Sequence, residues 1–305
     1  MSPDTAVQAT SDLYATSPAL RLSRLALSTS QRLWPSLAVR IATRLFLTPL
    51  PPKWLARRTR WDAAWRVESW PFEGVDLTVY SPGAASDGPA VLLVHGWGGH
   101  AGQLLPLAQA LAHRGLQPVL VDMPAHGRSR GSESALPQFA RATEYVCARL
   151  VRDGAPLQAL VAHSLGANAA AYVASRGLPV QRLVLLAPPA PPVGSTRLFA
   201  QVFGLSESTR AAMQHRIEAR HGILMPLFEP QAVAPRIQQP TLVVHDRQDR
   251  INRFADGQAY ARSIRGAQLA ATQGLGHRKL LKDPEVLARV ATFVQEEAAG
   301  RLPPA

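Results

Sequence analysis

One serine, one histidine and two aspartates, widely spaced along the chain, hold the chemistry available to this sequence. The serine lies in Ala162-His163-Ser164-Leu165-Gly166, after the apolar run Ala159-Leu160-Val161 and ahead of Ala167-Asn168-Ala169-Ala170-Ala171-Tyr172. The first run reads as a buried strand and the second as a helix. Ser164 therefore stands at a sharp strand-to-helix turn, which lifts a hydroxyl off the sheet edge. The pattern is G-x-S-x-G except that Ala162 replaces the first glycine. A serine hydroxyl becomes a nucleophile only when a base takes its proton, and the base needs a third group to orient it. Downstream, Gly274-Leu275-Gly276-His277-Arg278 offers His277 as the base, and His245-Asp246-Arg247-Gln248-Asp249-Arg250 offers two acids. Asp249 is preferred to Asp246, because it lies further into its loop and can reach across to His277.

Charge that develops on an attacked carbonyl needs donors. The segment His95-Gly96-Trp97-Gly98-Gly99-His100 follows the apolar run Ala90–Val94. A glycine-rich turn lets backbone N–H groups approach a ligand oxygen closely, so the backbones of Trp97 and Leu165 are the expected oxyanion hole. Phosphate binding is the weaker reading, since neither glycine-rich phosphate motif is present. His95 and His100 have no nearby acidic or cysteine partner in the sequence, so no metal and no cofactor is expected. Asp122-Met123-Pro124-Ala125-His126-Gly127-Arg128-Ser129 reads as the floor of the site, with His126 structural. His163 and Trp97 are expected as substrate-binding walls.

These residues need a scaffold to bring them together. Short apolar runs at Ala90–Val94, Pro118–Val121, Leu157–Ala162, Leu183–Leu186, Thr241–Val244 and Ala267–Ala271 alternate with helical patterns at 103–113, 139–151, 165–175, 253–264 and 284–297. Such alternation implies a mainly parallel sheet with helices on both faces, its functional loops gathered at the strands' C-terminal ends. Arg66–Trp70 and Val75–Tyr80 read as an antiparallel pair in front of it. Between Pro188 and Pro240 the rhythm breaks: two helices, near 196–203 and 208–220, and no clear strand. That insertion is a natural cap over the strand ends.

The bulk properties bound the rest. At 305 residues with 47% hydrophobic side chains, the chain can bury a full core. No apolar run reaches the roughly 20 residues that span a bilayer. The start, Met1-Ser2-Pro3-Asp4, has no basic region followed by an apolar core, so a cytoplasmic location is expected, with a peripheral position at the inner membrane surface as an option. The lone Cys147 excludes an internal disulfide framework and reads as a small buried apolar side chain. The net charge is +12, of which +7 falls in residues 1–60. Zinc-finger, basic-zipper and aromatic RNA-binding signatures are all missing, so no nucleic-acid partner is expected.

Residues 1 to about 20 are polar and read as a tail. After them Leu33, Trp34, Leu37, Ala38, Ile41, Leu45 and Phe46 form an apolar face at helical spacing, with Pro35 in the first turn and Pro49 at the end. Arg32, Arg40 and Arg44 lie on the polar face. The helix either packs on the catalytic domain or, through residues 31–47, makes a peripheral membrane contact. Pro49-Leu50-Pro51-Pro52 reads as a stiff linker. The expected organisation is an N-terminal tail and basic amphipathic helix over 1–60 and one α/β domain over 61–305, with its cap at about 188–240.

With these pieces placed, residues 65–297 resemble the α/β-hydrolase fold family, in its serine esterase and lipase-like branch. The likeness rests on five motifs in the family's order: Leu92-Leu93-Val94-His95-Gly96-Trp97-Gly98-Gly99, the Asp122–Ser129 segment, His163-Ser164-Leu165-Gly166-Ala167, His245-Asp246-Arg247-Gln248-Asp249, and Gly276-His277. The resemblance implies an α/β fold with a mostly parallel eight-stranded sheet and a small helical cap after the sixth strand. It also implies Ser164 as nucleophile, His277 as base and Asp249 as acid, a metal-free site, and acyl transfer to water. The expected activity is cleavage of a carboxylic ester, a small molecule with an apolar group. A thioesterase, amidase or acyltransferase with the same triad, or a non-catalytic membrane-associated scaffold, are the alternatives. Ala162 is the departure from the pattern and puts the elbow's geometry in question. The oligomeric state is not readable from these residues.

Overall fold

The computed structural model describes residues 18–50, 59–83, 88–189 and 192–296. The expected tail up to residue 17 and Pro51-Pro52 of the expected linker lie outside them. Eight strands form one sheet: β1 (Trp65–Phe72), β2 (Val75–Pro82), β3 (Ala90–Val94), β4 (Gln117–Asp122), β5 (Leu157–His163), β6 (Arg182–Leu186), β7 (Thr241–Asp246) and β8 (Gln268–Thr272). Their spatial order is β1-β2-β4-β3-β5-β6-β7-β8. The β1–β2 and β2–β4 pairs are antiparallel and the remaining five pairs are parallel. This is the eight-stranded, mostly parallel sheet that the resemblance implied.

The central strands read as continuous apolar runs because both of their faces are covered. Side chains alternate along a strand, so neighbouring residues enter different cores. Leu92, Val94, Leu160, Ala162, Leu183 and Leu185 point to the face covered by α4 (Leu136–Arg152), α5 (Leu165–Ala174) and Tyr260 of α9 (Phe254–Ser263). Val91, Leu93, Ala159, Val161, Val184 and Leu186 point to the face covered by α3 (Leu105–Ala112) and α11 (Pro284–Gln295). The alanines of α5 let that helix approach the sheet closely, as the serine turn at its start requires.

Between β6 and β7 stands the expected cap. It consists of α6 (Pro192–Phe203), α7 (Glu207–His221), α8 (Pro230–Val233) and two short 3-10 turns at Met225–Phe228 and Ala234–Arg236. Helix α7 is closed at both ends by local chemistry. Ser206 accepts a hydrogen bond from the N–H of Thr209, and Gly222 ends the helix in the left-handed conformation at φ 69°. β7, α9 and β8 separate the cap from α10 (Gly276–Lys279), which carries His277.

The N-terminal segment departs from expectation. A first helix, α1 (Pro18–Leu33), precedes α2 (Pro35–Leu47), so helix begins within the stretch read as polar tail. Ser and Thr residues hid α1, and Pro18 at its start and Leu, Ala and Arg within it are compatible with helix. Trp34, with φ −139° and ψ 73°, makes the break, and Pro35 opens the second helix. Ala38, Ala42 and Leu47 of α2 and Leu27 of α1 are buried, and the ring of Phe46 meets Phe199 edge-on at 5.3 Å. Met213, Ile217 and Met225 of the cap close the same cluster. Gln31 clamps the α6–α7 turn: its amide donates to Gly204 O (3.0 Å) and accepts from Ser206 N (2.8 Å).

Register decides where the loops meet. Val94 of β3 is level with Val121 of β4 and Ala162 of β5, and Leu186 of β6 is level with His163 and Val244. The residues that follow these strands share one edge of the sheet, so five distant segments of sequence converge there.

Candidate active site

Ser164 holds a backbone conformation that side chains other than glycine seldom adopt, φ 54° and ψ −127°. Such strain costs on the order of 1–3 kcal/mol and persists only where the surroundings enforce it. Here Ser164 N–H donates to Leu186 O on the neighbouring strand (2.9 Å), and Ser164 O accepts from Ala167 N (2.7 Å). Two glycines make room for the turn. A Cβ on Gly96 would lie 2.6 Å from the Cβ of Ser164, and a Cβ on Gly166 would lie 2.5 Å from His95 O. Ala162 is no obstacle. It sits inside β5, fully buried between Val94 and Leu185, with its methyl in the core beneath α4 and α5. The close contacts of this elbow fall at positions 96 and 166, not at 162.

The side chain of Ser164 faces His277, with Oγ 3.1 Å from Nε2. On the other side of the ring, His277 Nδ1 lies 2.7 Å from Asp249 Oδ2. Asp249 Oδ1 accepts from the N–H groups of Ile251 (2.8 Å) and Asn252 (2.9 Å). Burial opposes ionisation of this carboxylate. The hydrogen bonds from His245, His277 and Asn252 outweigh it and hold the group well below the usual carboxylate range. An ionised Asp249 accepts a hydrogen bond from the Nδ1–H of His277. That leaves Nε2 as an acceptor for the serine O–H.

Asp246, the rival acid, does different work. Its Oδ1 accepts from Gln248 N (2.9 Å), and its Oδ2 accepts from Thr272 Oγ1 (2.8 Å) and Leu275 N (3.0 Å). It ties the end of β7 to the loop that delivers His277, and its own carboxylate is too occupied to serve the imidazole. Burial raises its pKa, but these hydrogen bonds prevail and lower it.

The glycine-rich loop is held from below. Fully buried His95 donates from Nδ1 to Gly96 O (2.7 Å) and accepts at Nε2 from Met123 N (3.0 Å). Burial pushes its pKa down to about 4, so it stays neutral and keeps one donor and one acceptor. The ring of half-buried Trp97 packs on His126 (5.2 Å) and Phe139 (6.4 Å). The backbone N–H groups of Trp97 and Leu165, expected as oxyanion donors, have no acceptor among the described residues. Asp122 organises the floor: it accepts from Ala101 N (2.7 Å), Tyr80 Oη (2.7 Å) and Arg128 N (2.8 Å).

His163 is placed behind the site, not on its substrate wall. Its side chain is buried, its ring lies 4.6 Å from that of His277, and its Nε2–H donates to His277 O (3.0 Å). Burial, with the nearby His277, pushes its pKa down to about 3. It braces the backbone of the base. Two further residues escaped the sequence reading. Asn252 donates from Nδ2 to Ala187 O (2.7 Å) and stands 3.4 Å from Ser164 Oγ, while its backbone N–H serves Asp249. Fully buried His245 donates from Nε2 to Asn252 O (3.1 Å) and lies 3.5 Å from Asp249 Oδ2. A Cβ on Gly257 would sit 2.4 Å from its Nδ1, so that glycine makes room for the ring. A polar residue shortly after the acid was the one available signal for Asn252; its folding back onto the serine was not.

Comparison with known proteins bears on the family and the fold. The sequence profile of the alpha/beta hydrolase family matches residues 91–290. A pimeloyl-[acyl-carrier protein] methyl ester esterase of Xanthomonas oryzae pv. oryzae is 36% identical over 100 residues, which is 33% of this chain and 37% of that protein. The chain thus matches little more than a third of this curated relative's length. Among solved structures, the Pyrococcus furiosus esterase superposes with a TM-score of 0.59 at 17% identity, covering 78% of this chain and 96% of its own. A thioesterase domain from the curacin biosynthetic pathway gives 0.54 at 22% identity, covering 76% and 100%. At these identities the structural likeness speaks for the fold. The family profile spans most of the chain and every segment that meets at Ser164, and the protein belongs to the alpha/beta hydrolase family.

Proposed function

We propose that this protein is a serine hydrolase that cleaves carboxylic esters through an acyl-enzyme. The observation that carries the reading is the continuous relay from Asp249 through His277 to a strained Ser164, at 2.7 Å and 3.1 Å. Ser164 Oγ attacks the acyl carbonyl as His277 Nε2 takes its proton. Asp249 holds the imidazole in the required tautomer and stabilises the imidazolium that forms. The N–H groups of Trp97 and Leu165 receive the oxyanion. His277 returns the proton to the departing alcohol, and water then releases the acid by the same route.

The methyl ester esterase relative supports an ester as the bond cleaved. The apolar side chains of the cap say less about the acyl group. Phe199, Phe203 and Met225 pack against α1 and α2, and Phe228 belongs to the core. An ester with an apolar group is the proposed substrate class.

A fluorophosphonate probe followed by a panel of ester, thioester and amide substrates tests the proposal. Labelling of Ser164, its loss in Ser164→Ala with an unchanged melting temperature, and fastest turnover of the esters are expected. Turnover that survives Ser164→Ala would remove the serine mechanism. A preference for thioesters, or transfer to an added alcohol, would keep the relay and change the reaction.

A further inference from the structure

The N-terminal helices use one side to pack and leave the other uncovered. Leu22, Leu25, Leu33, Trp34, Leu37, Ile41 and Leu45 are between 39% and 70% exposed, and Leu50 just beyond α2 is 67% exposed. On α2 the exposed Leu37, Ile41 and Leu45 recur every four residues, which makes a single stripe along the helix. Monomeric proteins rarely leave so many large apolar side chains together in water. The inner residues Leu27, Ala38, Ala42 and Leu47 already hold the pair on the cap, so packing needs nothing from this outer stripe.

The charge around the stripe narrows what can cover it. Residues 18–50 contain no Asp or Glu. Arg24, Arg32, Arg40 and Arg44 are exposed on the same two helices. Arg44 has only a long contact to Glu133 at 3.9 Å, and neither Arg32 nor Arg40 has an acidic partner among the described residues. Pairing with a second copy through this face would set arginines against arginines. Residues 1–17 offer Met1, Val7, Leu13 and Tyr14 as their large apolar side chains, too few to cover the stripe. A surface that is apolar in its interior and anionic at its edge matches both features.

We propose that the outer face of α1 and α2 docks this protein on an anionic lipid bilayer. Trp34 and the Leu37-Ile41-Leu45 stripe enter the boundary between headgroups and acyl chains, and Arg32, Arg40 and Arg44 meet the lipid phosphates. Because α2 rests on α7, docking would bring the cap to the bilayer. The proposal stands apart from the catalytic reading, since binding needs no turnover.

The test is cosedimentation of the full-length Ser164→Ala protein with vesicles of phosphatidylcholine alone or with about one third phosphatidylglycerol. Strong binding to the anionic vesicles, weakened by high salt, is expected. Arg32→Ala with Arg40→Ala should weaken it on the order of thirtyfold, at about fivefold for each arginine near the surface. Leu37→Glu with Ile41→Glu should abolish it. Both positions are exposed, and an unchanged thermal melt confirms the fold of each variant. Absence of binding, or equal binding by all variants, overturns the proposal. So does a concentration-dependent dimer that Leu37→Glu with Ile41→Glu dissolves, because the face would then be a self-interface. Turnover of a soluble short-chain ester by the parent enzyme is read separately and tests the active site alone.

Discussion

Ser164 and Trp34 both stand at a break between two regular elements, and the chain around them is determined in opposite ways. Ser164 is enclosed: a strand ahead, a helix behind, Leu186 O on its N–H, and two glycines whose missing Cβ atoms leave room for the turn. Its strained φ follows from contacts on every side. Trp34 is 61% exposed, and the helices it joins are fixed from one side by Leu27, Ala38, Ala42 and Leu47. The enclosed turn has one shape, which suits placing a reactive atom. The half-covered one keeps a free face, which suits meeting something else. In the proposed readings, chemistry and contact fall to different parts of one cap-and-sheet assembly.

The largest effect expected at the enclosed site, after loss of the serine itself, is that of Asp249→Asn. It should lower kcat by about 10⁴-fold, because an amide allows the wrong tautomer of His277. Asp246→Asn should act instead through the loop, with a lowered melting temperature and a smaller loss of kcat. Equal kinetic losses with unchanged melts in both would undo the distinction drawn between the two acids.

Neighbouring leucines on α2 sharpen the contrast between the covered and uncovered sides. Leu47, 1% exposed, should cost about 2–5 kcal/mol when replaced by alanine, whereas Leu45, 41% exposed, should stay within roughly 0.5 kcal/mol. Denaturant unfolding of the two variants gives the comparison directly. Similar losses would mean that the outer stripe contributes to folding and is not a free face.

Besides His277, Asn252 contacts both the nucleophile and its acid. Asn252→Ala should lower kcat roughly 10- to 100-fold, in line with loss of a donor to a charge-bearing oxygen. KM should change little, since the residue does not touch the leaving group. A fall in stability with intact kcat would reduce Asn252 to a tie for Ala187.

The smallest effect is a dependence of stability on acidity. His95 and His163 have native pKa values of about 4 and about 3, below the unfolded value near 6.5. Unfolding therefore takes up protons as pH falls below about 6.5. Stability is full above that point and declines toward the native values, by about 1 kcal/mol per pH unit for each histidine. Asp249, whose pKa is also lowered, adds to the loss only below the unfolded carboxylate value of about 4. Thermal melts of Ser164-intact protein from pH 6.5 to 4 should show the decline, and His163→Gln should make it shallower. An identical slope in that variant would mean that His163 is not buried in the neutral form.

Much of the enclosed region was legible before any coordinates. Continuous apolar runs mark strands covered on both faces, and the break between Pro188 and Pro240 marks the cap. The loops after Ala162, Val244 and Ala271 hold the candidate reactive side chains because parallel strands all end at one edge. The N-terminal region was harder to read. Helix α1 begins among serines and threonines, and one amphipathic pattern in α2 was consistent with packing or with exposure. The structure shows that α2 packs on the cap through Ala42 and Leu47, while Leu37, Ile41 and Leu45 stay outside.

Residue types and their order along the chain were enough for the sheet and the cap, and to single out Ser164, His277 and the two acids as candidates, because these depend on periodicity and on local turn chemistry. Three matters were left to the tertiary structure: that His163 stands behind the base, that Asn252 folds back onto Ser164, and which side of α2 is covered. Each depends on distances between segments that are far apart in sequence. No local pattern encodes such distances until the strands are in register.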